Sequence, residues 1–150
     1  MKVQPIQEYT EAHYGLLSQA DPNHDLIEDY VKQSYGFQLS DSHLLVGVLI
    51  LTPEANQTIE LKNIAIAEAY RHRGLAQHLI RFGIEFAKQH QYQEMLVGTG
   101  TTSFEQLYLY QKMNFRCYKI RPDFFTKNYA DPIIENGLHL KDMIMLQQQL

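Results

Sequence analysis

The chain has one cysteine, Cys117, and only five prolines in 150 residues. A single cysteine excludes an internal disulfide and points to a reducing compartment, so a cytoplasmic protein is expected. Long apolar runs are missing too. The longest, Leu44 to Leu51, falls far short of the roughly 18 residues a membrane span needs. The segment Met1-Lys2-Val3-Gln4-Pro5 has no apolar region of the kind a secretory leader carries. No sign of charge dominates: the net charge of −4 argues against a general nucleic-acid binder and leaves room for a cationic small substrate. Low-complexity tracts, internal repeats and linkers are absent. The seven histidines, His72 and His78 among them, lack metal-ligand spacing, so no metal is expected. Gly98 and Gly100 bracket Thr99 without opening a dinucleotide fingerprint, and no Ser–His–acid order stands out.

The composition that remains, 45% hydrophobic and 20% charged, suits a single globular domain over residues 1–150 with a core of its own. Lys2 to Ile6 reads as a short strand. Two helices follow, Glu8 to Ala20 with Ala12, Leu16 and Leu17 at helical spacing, and Asp25 to Ser34. Phe37 to Ser40 and Leu44 to Leu51 read as a hairpin across Asp41-Ser42. Its second strand is apolar throughout, as a strand covered on both faces would be. The strand Thr58 to Ala67, the helix Gly74 to His90, the strand Glu94 to Thr99 and the helix Phe104 to Met113 come next. Strands Phe115 to Arg121 and Leu138 to Leu146 close the order, with Pro122 to Gly137 as a loop between them. The order β-α-α-β-β-β-α-β-α-β-β implies an α/β (α+β) domain, a mixed sheet with helices on its faces.

One strand carries an irregularity. In Thr58 to Ala67, Ile59 and Leu61 alternate, as do Ile64 and Ile66, but the two pairs are out of phase. Either a bulge near Lys62-Asn63 restores a common face, or the strand is buried on both sides.

The strongest ligand signal follows that strand. Tyr70-Arg71-His72-Arg73-Gly74-Leu75-Ala76-Gln77-His78-Leu79-Ile80 is a basic glycine turn opening into an amphipathic helix. Such a junction aims free backbone N–H groups and a positive dipole end at one point, where phosphate oxygens can sit. The spacing Arg71-x-x-Gly74-x-Ala76 resembles the pyrophosphate loop of the GCN5-related N-acetyltransferases, the GNAT family. The order of elements and a bulge before the turn are also family features. Leu109-Tyr110-Gln111-Lys112-Met113-Asn114-Phe115 is similar to the segment that ends the family's fourth helix, with Asn114 where glycine is usual. Asparagine tolerates the left-handed backbone a helix end often needs, so this departure is mild.

The resemblance implies acetyl-CoA as co-substrate, no metal, and an N-acetyltransferase acting by direct transfer in a ternary complex. It implies that Ile64, Ala65 and Ile66 lend backbone groups to the pantetheine arm. It implies that Arg71, His72, Arg73, Gly74, Leu75 and Ala76 hold the pyrophosphate, with Thr101 and Ser103 near the cofactor's far side. Many members have asparagine in that last neighbourhood, where this chain has Thr and Ser. The implied acid for the departing thiolate is Tyr110. Tyr108 lies about 200° away around the helix and faces elsewhere. Glu60 stands where some members place a catalytic glutamate, to act as base directly or through water. The same positions also suit plain structure: a solvated basic helix start, a packed aromatic at Tyr110 and a solvent-facing Glu60.

The segment from Asp123-Phe124-Phe125 to Asp142-Met143-Ile144 looks like one bacterial branch of the family, whose acceptor is unassigned. Phe124, Phe125, Tyr129 and Glu135 form either an aromatic and acidic mouth for a cation or a packed loop. Cys117, on a strand, is expected to be a small buried hydrophobe. The expected acceptor is a primary amine on a small molecule, with a peptide amine second and no nucleic-acid or membrane partner. A non-catalytic acyl-CoA-binding or regulatory protein is the rival reading. Oligomeric state stays open, a homodimer included.

Overall fold

The computed structural model describes residues 1–150. Strand β1 (Lys2–Pro5) leads into helices α1 (Glu11–Ala20) and α2 (His24–Val31). Strands β2 (Tyr35–Asp41), β3 (Leu44–Glu54) and β4 (Thr58–Ile66) follow as an antiparallel meander. Helix α3 (Leu75–Gln89), strand β5 (Glu94–Gly100), helix α4 (Phe104–Lys112) and strand β6 (Arg116–Arg121) come next. A short helix α5 (Phe124–Asn128), the hairpin β7 (Ile134–Glu135) and β8 (Leu138–His139), and strand β9 (Met143–Gln149) complete the chain. The main sheet has seven strands in the order β1-β2-β3-β4-β5-β9-β6, with β4 and β5 parallel.

Two cores lie on opposite faces of this sheet. One gathers Leu49, Leu51, Ile59, Leu61, Met95 and Val97 under Leu79, Ile80 and Ala87 of α3 and Tyr110 of α4. The other packs Leu16, Leu17, Ile27 and Val31 of α1 and α2 on Val48, Ile50 and Ala65. β3 contributes to both, which is why its sequence is apolar throughout from Leu44 to Leu51.

The bulge is present. Ile50 pairs with Asn63 and Leu51 with Leu61, so Lys62 is the extra residue. The phase shift brings Ile59, Leu61, Ile64 and Ile66 to the α3 side, while Asn63 and Ala65 turn toward α1. A strand without the bulge would have set Ile64 and Ile66 against α1.

Three expectations are corrected. The region Pro122 to Gly137 is no plain loop, because it contains α5 and β7. The strand expected from Leu138 to Leu146 is two strands, β8 and β9, in different sheets. Asn136 and Gly137, with φ of 54° and 76°, form the left-handed two-residue turn that folds β8 onto β7, a tight hairpin signal legible in the Asn-Gly pair itself. Cys117 is exposed rather than buried, because β6 is an edge strand exposed along its whole length.

Candidate functional site

The site begins where two parallel strands part. β4 and β5 pair over only four residues, from Thr58↔Glu94 to Leu61↔Val97. Past the Lys62 bulge both strands continue, held on their outer sides: β4 by β3 as far as Ile66, and β5 by β9 as far as Gly100. A cleft opens between them.

The ladder fixes which backbone groups face this cleft. Ala67 N–H donates to Val46 O at 2.8 Å, so alternation along the antiparallel pair turns the amides of Ala65 and Asn63 to β3. Ile64 and Ile66 therefore direct theirs toward β5. The carbonyl of Ile66 accepts from Arg71 Nε at 3.1 Å. The N–H and C=O of Ile64 and the N–H of Ile66 remain for an extended ligand to pair with. Of the three residues expected to lend backbone groups, Ile64 and Ile66 present them. Ala65 does not, because its amide belongs to the β3 ladder.

The basic turn adjoins the end of β4. A single 3-10 turn, Glu68–Tyr70, precedes it. His72 and Gly74 adopt left-handed φ of 64° and 76°, and Gly74 is the N-cap of α3. None of the N–H groups of residues 72–77 has an intramolecular acceptor. These orphan donors sit at the positive end of a 15-residue helix. The arginines are anchored rather than loose. Arg71 also reaches Gln19 Oε1 at 2.7 Å, and Arg73 donates to Ala69 O at 3.2 Å while lying over the Tyr70 ring. Their charge stays within the turn, where it reinforces the backbone donors. The combination suits a diphosphate.

Tyr110 and Tyr108 separate as helix geometry requires: Tyr110 is 5% exposed and Tyr108 68%. Burial pushes the Tyr110 phenol well above its ordinary range. It therefore stays protonated at every working pH and is able to donate. No protein group bonds its hydroxyl. Glu60 is mostly buried and lies 3.4 Å from Lys62 Nζ across the bulge.

The far end of β5 carries the remaining expected residues. Ser103 and Thr102 both donate to Glu135 Oε1, at 2.6 and 3.1 Å. The Ser103 hydroxyl is thus committed to the protein, while that of Thr101 has no protein partner. Glu135 is in turn removed from the expected acidic mouth. Its place beside the aromatics is taken by Asp21 of the α1–α2 connector. Tyr129 OH donates to Asp21 Oδ1 at 2.8 Å and stacks its ring on Phe125. Asn23 Nδ2 donates to Asn128 O at 3.3 Å. These bonds join α1–α2, which stand on β4, to the 122–137 segment, which stands at the end of β5. They clasp the two arms of the cleft together on the face opposite α3 and α4.

Sequence reasoning missed Asp21, Tyr30 and the side chain of Asn63. Apart from the Asn23 N–H that Asp21 Oδ1 also accepts, the side-chain bonds that join them run 9 to 108 residues along the chain, and no local pattern reports those. No group of three or more His, Cys, Asp or Glu side chains is placed to hold a metal ion. No helix is long and apolar enough to cross a membrane.

Comparison with known proteins agrees with this geometry. Residues 4–115 match the model of the acetyltransferase (GNAT) family. An uncharacterized N-acetyltransferase of Bacillus subtilis, YvbK, is 34% identical over 150 residues, spanning all of this chain and 97% of that protein. A GNAT family acetyltransferase from Elizabethkingia anophelis, solved with acetyl-CoA bound, superposes with a TM-score of 0.96 at 38% identity, covering 99% of this chain and 97% of that one. A Bacillus subtilis acetyltransferase in complex with CoA superposes at 0.95 with 34% identity, covering 99% and 98%. With the family match over most of its length and full-length relatives above 30% identity, this chain belongs to the GNAT family of acetyltransferases.

Proposed function

We propose that the protein transfers the acetyl group of acetyl-CoA to a primary amine of a small molecule, directly, in a ternary complex. The observation that carries this reading is the cleft beyond Leu61 and Val97. Its β4 edge presents free peptide groups, and it runs beside the unpartnered N–H groups of residues 72–77. An extended arm ending in a diphosphate matches both. Ile64 and Ile66 pair with the arm as an added strand would, and residues 71–76 with their helix dipole hold the phosphates. When bound, acetyl-CoA supplies an acetyl group activated as a thioester.

The chain's own groups do the rest. Tyr110, neutral because it is buried, delivers a proton to the departing sulfur. Glu60 takes the proton of the amine, directly or through water. Holding amine and thioester side by side supplies much of the acceleration without a covalent enzyme intermediate. The clasp of Tyr129 on Asp21 and of Asn23 on Asn128 narrows the acceptor side, which favours a small molecule over a peptide.

Thiol release from acetyl-CoA across a panel of amines tests this. Turnover is expected, and Tyr110→Phe is expected to lower kcat by roughly a hundredfold or more while coenzyme A affinity holds. Full activity in Tyr110→Phe removes the acid role. Stabilisation by coenzyme A with no turnover on any amine returns the protein to a binding or regulatory role.

A further inference from the structure

We infer that the acceptor amine also carries a carboxylate, and that Arg116, Lys119 and Arg121 of β6 receive it. This rests on the acetyl-transfer reading above and adds the substrate's second charged group. The three cations share one face of the sheet. Arg116 pairs with Gln147, Lys119 with Met145 and Arg121 with Met143 on β9, and partners across a ladder point the same way. On β9, Ile144 and Leu146 pack toward α3 and α4. Met143, Met145 and Gln147 therefore turn to the opposite face, the one on which α1 and α2 stand.

This alignment is built by a second bulge. Arg116 and Lys119 are three residues apart, and in a regular strand an odd spacing sends side chains to opposite faces. Cys117 pairs with Leu146 and Lys119 with Met145, so Tyr118 is an extra residue. It carries Lys119 and Arg121 onto the face of Arg116 and leaves Cys117 and Ile120 on the side of α4. Three like charges on one face of a six-residue strand repel one another. None of them is in an ion pair: the protein's two pairs join His24 to Glu28 and Lys62 to Glu60. Glu94, on the same face, accepts from Gln149 Nε2 at 2.9 Å. Every residue of β6 is exposed, so solutes reach all three cations. In a chain of net charge −4 they form a local excess of positive charge, open to an anion.

Their face is continuous with the cleft. Gly98 is the first residue of β5 beyond its pairing with β4. It pairs with Met145, which pairs with Lys119. Gly98 faces the same way, because a Cβ built on it would lie 2.7 Å from Met143 Sδ and 2.9 Å from Met145 Sδ. In the adjacent row of the same face, Glu60 pairs with Leu96, Leu96 with Gln147, and Gln147 with Arg116. The proposed base and the first cation thus stand at the two ends of one row, three strand spacings or about 14 Å apart along the backbone. Side chains from both ends reach inward over a floor of Leu96, Gly98, Met143 and Gln147, all partly exposed. Helices α1 and α2 pack on Val48, Ile50 and Ala65, to one side of this floor.

The polarity of that row names the substrate class. An ω-amino acid, with its amine and carboxylate several bonds apart, sets its amine toward Glu60 and its carboxylate toward β6. A diamine meets repulsion at β6, and an uncharged amine leaves the cations without a counter-ion.

The test pairs para-(aminomethyl)benzoate with para-(aminomethyl)benzamide and ε-aminocaproate with ε-aminocaproamide, molecules alike in size and different in charge. Thiol release is measured at saturating acetyl-CoA. Exposed ion pairs are weak singly, and three together are expected to favour each carboxylate in kcat/KM by roughly tenfold. That preference is expected to shrink to about threefold as salt rises from ~0.05 to ~0.5 M, because salt screens exposed charges. Arg116→Gln, Lys119→Gln and Arg121→Gln together are expected to bring the ratio to within about twofold, through kcat/KM for the carboxylate, with KM for acetyl-CoA unchanged. Lys119→Gln alone is expected to lower the ratio part of the way, and it serves if the triple variant does not fold. A wild type that turns over carboxylate and amide equally overturns the inference, as does a preference that survives in both variants. A rise in KM for acetyl-CoA in the variants gives the cations to the cofactor and overturns it too. Variants that self-associate with the ratio intact mark the cations as guards of an edge strand, which also overturns it. A wild type that turns over no amine overturns the acetyl-transfer reading and this inference together.

Discussion

Replacing Gly74 isolates the conformation of the basic turn, proposed above to hold phosphate, from everything around it. Gly74 has φ +76°, and a Cβ built there meets nothing within 4 Å. Gly74→Ala therefore creates no clash, and its cost is that of holding an L residue left-handed, about 1–2 kcal/mol. The turn is exposed and the first residues of α3 are only half-buried, so the chain can relieve this strain by unwinding locally. Strain relieved in the free protein returns when a ligand requires the native turn. The cost then appears as a loss of coenzyme A affinity of roughly 5- to 30-fold, with little change in the melting temperature without ligand. Gly74→Asn is the control, since asparagine tolerates this backbone and is expected to lose less affinity than Ala. Gly74→Glu adds a like charge beside the diphosphate and is expected to lose more than Ala. Titration calorimetry with coenzyme A and thermal unfolding with and without it measure all three. Equal affinity for wild type, Ala and Glu would refute the assignment of this turn to phosphate.

Two glycines elsewhere separate packing from propensity. Gly15 lies in α1 with nothing within 4 Å of an added Cβ, so Gly15→Ala is expected to stabilise by about 0.5–1 kcal/mol, raising the melting temperature by a few degrees. At Gly36 an added Cβ would overlap the Tyr9 hydroxyl and lie 3.0 Å from Tyr9 Cζ, so Gly36→Ala is expected to destabilise by about 1–3 kcal/mol. Unchanged melting in either variant contradicts the packing described. Alkali probes the buried phenols: burial raises Tyr9 to about 12, and raises Tyr30, Tyr110 and Tyr129 as well. The folded form then holds these protons more tightly than the unfolded form, whose tyrosines titrate near pH ~10. Stability is therefore full below about pH 10 and falls as pH rises through 12. Urea midpoints at pH 8 and pH 11 measure this, and equal midpoints refute it.

What the sequence reveals here is what local geometry dictates. The out-of-phase pairs Ile59/Leu61 and Ile64/Ile66 encode the bulge because side-chain parity in a strand is rigid. The basic turn is readable because a left-handed glycine before an amphipathic helix has few other uses. That Tyr108 and Tyr110 face different ways follows from 100° per residue; which of them serves as acid is what the family resemblance implies. The edge exposure of Cys117 is different in kind. It depends on β9 inserting between β5 and β6, a pairing set by residues more than twenty positions downstream. The β7–β8 hairpin is legible at Asn136-Gly137, whereas the break between β8 and β9, at residues 140–142, carries no such turn pair.

The clasp and the buried amide of Asn63 belong to a third class. Tyr129 meets Asp21 across 108 positions, and Asn63 meets Tyr30 across 33. Each of these residues alone is an ordinary polar side chain in an ordinary place. Only the fold sets them in series, and there the direction of each hydrogen bond determines the next. The clasp adds a coupling. Asp21 receives Tyr129 from one arm of the cleft and Tyr30 from the other, so the group that anchors Tyr30 beside Asn63 is also the group that clasps the two arms. Anything that pulls Tyr129 from Asp21 loosens the anchor of Tyr30, and through it the buried amide of Asn63. The bulge that parts β4 from β5 thus opens the cleft on one side and brings Asn63 to the end of this chain on the other, both from one extra residue, Lys62.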